Sequence, residues 1–189
     1  MSADAGEQGD IIAKLSIDLN NDGYNENIEI LRTSDIDMSV RLIRGTKNGQ
    51  ITDLSEELPF EHLAGLTVYP IMGATYPHAV VIQGTAGAHR SFLNVYYIGE
   101  DGRFSKLFEC SGDGGASLFG PLAGGGYGIM VCSRLYDTLN RDETKYYHWD
   151  GSEFVLVRRE IGYHFTGKFV YPRDPETVAA AYVEAAVLI

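Results

Sequence analysis

Apolar and polar residues alternate with a period of two along much of the chain. Ala13, Leu15, Ile17 and Leu19 alternate with Lys14, Ser16 and Asp18, and Ile28 and Ile30 alternate with Asn27 and Glu29. Successive side chains of a strand point to opposite faces, so the pattern predicts half-buried β-strands rather than helices. Three stretches add a tight turn between two such runs. They are 40–51 around Asn48-Gly49, 94–104 around Asp101-Gly102, and 145–154 around Asp150-Gly151. Asn-Gly or Asp-Gly between apolar strands is the strongest short hairpin signal.

The three turn glycines, Gly49, Gly102 and Gly151, are spaced 53 and 49 residues apart. A period near fifty belongs with propeller blades rather than solenoids. More of each unit aligns. A strand precedes each hairpin, at 27–31, 79–83 and 129–132. Before it comes a Tyr-containing loop, at Gly23-Tyr24, Thr75-Tyr76 and Gly126-Tyr127, and earlier still a further strand, at 12–18, 63–69 and 116–122. Each unit reads as strand, loop, strand, connection, strand, tight turn, strand, which is a four-stranded antiparallel meander. The expected fold is mostly β: three blade-like repeats, approximately 11–60, 61–110 and 111–160, within a β domain over 11–171. A closed propeller has about four to eight blades, so three units predict a partial propeller or a propeller-like sheet stack. An unrelated run of hairpins in a sandwich or barrel would show the same turns.

The two ends read differently. Met1 to Asp10 is small, polar and acidic. It is expected to be a flexible linker, either the start of a secreted or lipid-anchored protein after a leader is removed or an ordinary terminus. Near the other end, Asp174-Pro175-Glu176 predicts a helix start, with Asp174 as N-cap and Pro175 as first helical residue. Over 172–189, Tyr182, Ala185, Ala186 and Ile189 share one helical face with Val178 a turn earlier. Such a helix must pack on something, either the sheets or a further domain. From Asp174 onwards it lacks Lys and Arg, which argues against a lipid surface.

The chemistry concentrates in Asp18-Leu19-Asn20-Asn21-Asp22-Gly23-Tyr24-Asn25-Glu26. Side-chain oxygens fall at loop positions 1, 3, 5 and 9, a glycine at 6, and the backbone carbonyl of Tyr24 at 7, the spacing by which one short loop wraps a calcium ion. Gly23 permits the sharp turn because it reaches positive φ freely. Magnesium demands a rigid octahedron, and transition metals favour Cys or His, which the loop lacks. The expected metal set is Asp18, Asn20, Asp22, Tyr24 and Glu26, with Ca2+ as the ion. Glu29 would complete an EF-hand pattern, but a strand turns it to the face opposite Ile28 and Ile30, so Glu26 is taken as the last acid. A polar Asn-Asp-Gly turn holding no ion is the bland alternative.

The remaining composition narrows the classes. The chain has 189 residues, a net charge of −11 and no basic cluster, which argues against nucleic acid and anionic membranes as partners. No apolar run reaches transmembrane length. Cys110 and Cys132 are the only cysteines, and they read as small buried groups or as a pair. No G-x-S-x-G elbow or phosphate loop occurs, and His62, His78, His89, His148 and His164 have no metal spacing. The glycine-rich runs 111–116 and 124–126 read as flexible connections, His89 as part of a solvated hairpin tip, and Asp137, Asn140, Asp142 and Glu143 as a solvated acidic connection. Tyr96, Tyr97, Tyr146, Tyr147 and Trp149 offer an aromatic platform, with one of each adjacent pair turned into the core.

Asp18-x-Asn20-x-Asp22-Gly23-Tyr24-x-Glu26, followed by Ile28-Glu29-Ile30, resembles the calcium loop of FG-GAP and VCBS-type β-propeller repeats, including those of integrin α-subunits. Tyr146-Tyr147-His148-Trp149-Asp150-Gly151 also resembles the aromatic-Asp-Gly hairpins of bacterial surface proteins with such repeats. The resemblance implies that the ion staples a loop within a blade, and that the blades act as extracellular scaffolds for adhesion or ligand binding. The expected function is therefore a non-catalytic, calcium-stabilised β module, secreted or at the cell surface, with a protein or glycan ligand. The alternatives are a hydrolase using loop carboxylates and an intracellular structural domain without metal.

Overall fold

The computed structural model describes residues 9–70, 78–98, 103–123, 126–136 and 141–163. Twelve strands lie among them: β1 (Asp10–Ile17), β2 (Glu26–Arg32), β3 (Met38–Thr46), β4 (Gly49–Leu58), β5 (His62–Tyr69), β6 (Ala79–Ala86), β7 (Arg90–Ile98), β8 (Phe104–Gly112), β9 (Gly115–Phe119), β10 (Gly128–Arg134), β11 (Arg141–Trp149) and β12 (Phe154–Tyr163). They form three four-stranded sheets, β1-β2-β3-β4, β5-β6-β7-β8 and β9-β10-β11-β12, each with its strands in chain order. All pairings are antiparallel. This is the expected division into three meanders, and none of the sheets closes into a barrel.

Local details follow from the sequence. The turns at Gly49 and Gly151 take φ of +122° and +113°. The strand expected over 116–122 stops at Phe119, because Gly120 turns to φ +142° and Pro121 has no N–H to continue the ladder. The Asp101-Gly102 turn, the Thr75-Tyr76 loop, residues 1–8 of the linker and the helix expected over 172–189 lie outside the described residues.

The sheets stack face to face through two apolar cores. Ile28, Ile30, Val40 and Leu42 of the first sheet meet Val80, Ile82, Tyr96 and Ile98 of the second. Ala79, Val81, Leu93 and Val95 of the second meet Ala116, Ile129, Val131 and Phe154 of the third. The middle sheet is thus covered on both faces, which explains the unbroken apolar run Ala79-Val80-Val81-Ile82, fully buried throughout. The two interfaces are not copies of one another. β1 lies against β5 and β4 against β8, whereas β9 reaches β7 and β8, and β10 reaches β8.

Candidate metal centre

The acidic loop joins β1 to β2, so both of its flanks are strands. Leu19, at its second position, is 2% exposed and belongs to the core between the first two sheets. This apolar anchor fixes the start of the loop. Asn21 and Gly23 take φ of +59° and +89°, which curl the chain back on itself. A glycine bears such a φ at no steric cost, and Asn is among the residues that tolerate it best.

Side-chain oxygens line the curl and bind its own amides. Asp18 accepts the N–H of Asp22 at 3.1 Å and of Gly23 at 2.9 Å. Asn20 Oδ1 accepts the Asp22 N–H at 3.0 Å, while its amide donates to Asp22 at 3.0 Å. Asp22 also accepts the Tyr24 N–H at 2.9 Å. Asp18, Asn20 and Asp22 are therefore brought together, around backbone donors. Among the described residues no group of three or more His, Cys, Asp or Glu side chains is arranged to hold a metal. Each carboxylate oxygen has two lone pairs, so these bonds leave acceptor capacity in place.

Glu26 sits differently. It pairs with Ile17 across the ladder and shares the face of Ile28 and Ile30, so its side chain turns towards the core below the loop. It is 0% exposed. One oxygen accepts the Leu19 N–H at 2.7 Å, and Oε1 has no partner. Burial pushes its carboxyl above the ordinary range; the Leu19 amide opposes this, and the charges of Asp22 and Asp18 add to it. The bond to the Leu19 N–H ties Glu26 to the start of the loop, and the charges of Asp22 and Asp18 bear on it from there.

The other two buried carboxylates among the described residues are compensated. Glu29, 5% exposed, accepts from Lys14 at 3.0 Å and Arg41 at 2.6 Å on the opposite face of the first sheet. Glu143, 7% exposed, pairs with Lys145 at 3.0 Å and with Arg159. In both cases burial pushes the carboxyl up, but the paired cations outweigh it and hold it below the usual range. Glu29 thus stands outside the loop, as its strand position requires. Its partners Lys14 and Arg41 were not singled out in the sequence, although both occupy outward positions of adjoining strands.

The donor set at the loop, carboxylates, an amide oxygen and the carbonyl of Tyr24, consists of hard oxygens. It fits a hard cation such as Ca2+. The unpartnered Oε1 of Glu26 is a further hard oxygen: buried there, the carboxyl either takes up a proton, as its raised pKa favours, or keeps its charge by pairing with a cation.

Other candidates resolve into structure. His89 is exposed at the β6–β7 hairpin tip. The 111–116 run is a tight β8–β9 turn rather than a flexible connection: Gly112 and Gly114 press on the Cys132 region of β10. Cys110 and Cys132 are unpaired. Cys110 lies at the core between the second and third sheets, where burial and the charge of Glu109 push its thiol up to about 12. Cys132 follows Val131 on β10 and so faces away from that core. Asp142 and Glu143 are on β11, while Asp137 and Asn140 lie outside the described residues. Of the aromatic platform, Tyr96, Tyr147 and Trp149 turn into the cores. Tyr96 carries a contact absent from the sequence reading: its hydroxyl donates to Glu56 of the neighbouring sheet. No short-range pattern announces that pair, since it exists only once the sheets stack. Comparison of the chain with protein-family models, with curated proteins and with solved structures finds no match to any of them.

Proposed function

We propose that the β1–β2 loop binds calcium and that the chain is a non-catalytic, metal-stabilised β module. Asp18, Asn20, Asp22, Glu26 and the carbonyl of Tyr24 would hold the ion, which would supply the positive charge that Glu26 lacks. The observation that carries this reading is the orphaned, fully buried Glu26 Oε1, in a side chain bonded to the loop backbone at Leu19. Every other buried carboxylate among the described residues has two cationic partners. The loop lies inside a four-stranded meander that recurs three times, the setting implied by the resemblance to FG-GAP and VCBS-type repeats. On that kinship the module belongs to a secreted or surface-anchored protein and acts as a scaffold or binds a protein or glycan. Of the two alternatives, a hydrolase draws on no comparable observation, whereas a metal-free structural domain is favoured by the closure of Asp18, Asn20 and Asp22 on the loop's own amides.

Calorimetric titration with calcium and thermal melts with and without it test the reading. The wild-type chain should release or absorb heat and melt at a higher temperature in calcium. At free calcium one hundred times Kd the gain is about 2.7 kcal/mol. Asp22→Ala should lose both effects. No heat and no shift at millimolar calcium would leave the loop as a polar turn.

A further inference from the structure

The acidic loop leaves its curl through Tyr24 and Asn25 and enters β2 at Glu26. Two of the expected ligands, the Tyr24 carbonyl and the Glu26 carboxylate, flank Asn25, so the path of this exit fixes both. β1 holds the exit on one side: the Asn25 side-chain amide donates to Ser16 Oγ at 3.3 Å. β3 holds it on the other. The β2–β3 ladder ends at the Asn27–Ile43 pair, and two residues further along β3 Gly45 lies against Asn25.

Gly45 is buried. A Cβ placed there would lie 2.3 Å from the Asn25 carbonyl oxygen, 3.2 Å from its carbonyl carbon and 3.1 Å from Tyr24 Cβ. Its φ lies outside the left-handed region, so no turn accounts for the glycine; the close approach does. The nearest of these atoms belongs to the backbone, which cannot swing aside as a side-chain tip can. Carbon contacts are optimal at about 3.5–4.0 Å, so a side chain at this position would push the exit away by roughly an ångström. Calcium–oxygen distances span only about 2.3–2.6 Å, and a displacement of that size takes a ligand out of the shell.

We propose, resting on the calcium reading of this loop, that Gly45 is a positioning residue of the metal centre: the absence of its Cβ seats Tyr24-Asn25 against β3 and so holds the Tyr24 carbonyl and Glu26 at the ion. Gly45 supplies no ligand and stands on a different strand from the loop, so ligand spacing does not reveal it.

The test is calorimetric titration of the full chain with calcium, with the Tyr24 carbonyl isotopically labelled and followed by nuclear magnetic resonance. Wild type should bind, and its Tyr24 carbonyl signal should move as the oxygen takes up the ion. Gly45→Ala, shown folded by circular dichroism, should bind about 10–100-fold more weakly, the cost of removing a group that orients a metal ligand, and its Tyr24 signal should stay near the calcium-free position. Gly112→Ala controls for lost stability alone. Its Cβ would meet the Cys132 carbonyl oxygen of the third sheet at 2.2 Å, and it should bind as wild type does. Equal weakening in Gly112→Ala would overturn the proposal, because lost stability would then explain the effect. If Gly45→Ala does not fold, the wild-type protein decides. In excess calcium its Gly45 α-protons should show nuclear Overhauser contacts to the Tyr24 β-protons, and their absence would overturn the proposal. Affinity and a Tyr24 shift equal to wild type in folded Gly45→Ala would overturn the role of Gly45 and leave the metal centre standing. Wild type with neither heat nor a Tyr24 shift would remove both.

Discussion

At the scale of the residue, three buried carboxylates separate by what surrounds them. Glu29 and Glu143 each have two cations, and Glu26 has none. Neutralising them should therefore have opposite effects. Glu29→Gln strands Lys14 and Arg41 without their acceptor, and urea unfolding at pH 7 should show a loss of about 1–2 kcal/mol, between the values for exposed and buried pairs. Because its folded pKa is lowered from 4.5, its contribution is complete above that value and fades as pH falls through the folded value. The difference between wild type and Glu29→Gln should shrink over that acid window. Glu26→Gln removes an uncompensated buried charge but keeps an acceptor for the Leu19 N–H. In chelator the variant should be as stable as wild type or up to about 1 kcal/mol more stable, yet show no calcium-dependent shift. The loop oxygens were legible in the sequence because ligand spacing is local. That Asp18 and Asp22 would bind the loop's own amides was not, since hydrogen-bond partners depend on φ at Asn21 and Gly23.

At the scale of the element, strands were legible wherever one face is buried and the other is not. β1 alternates in burial from Ala13 to Ile17, whereas β2 alternates in residue type although Asn27 and Glu29 are buried as well, and the Asn48-Gly49 and Asp150-Gly151 turns place positive φ on their glycines. The 111–116 run was misread because its constraint is tertiary. A Cβ on Gly112 would lie 2.2 Å from the Cys132 carbonyl oxygen of a strand in another sheet. Backbone cannot yield as a side-chain tip can, so Gly112→Ala should cost roughly 1–3 kcal/mol in chemical denaturation. Gly162→Ala is the control: nothing lies within 4 Å of its Cβ, and the change should stay within about 0.5 kcal/mol.

At the scale of the whole molecule, three meanders could be read from the turn spacing, but their stacking could not. β6 is buried on both faces, so its apolar run carries no face label, and the second interface is offset from the first. Covering both sides of the middle sheet should make it the last part to open. In native-state hydrogen exchange the amides of β6 and β7 should approach the global unfolding free energy, while those of the edge strands β1 and β12 exchange through smaller openings. The loop that would tie the first sheet together is the claim on which the functional account depends. A crystal structure determined in excess calcium tests it most directly. The account predicts an ion with six or seven oxygens at about 2.3–2.6 Å, among them Asp18, Asn20, Asp22, the Tyr24 carbonyl and Glu26 Oε1. A loop still closed on its own amides, with Glu26 Oε1 unpaired and no ion beside it, would contradict the account.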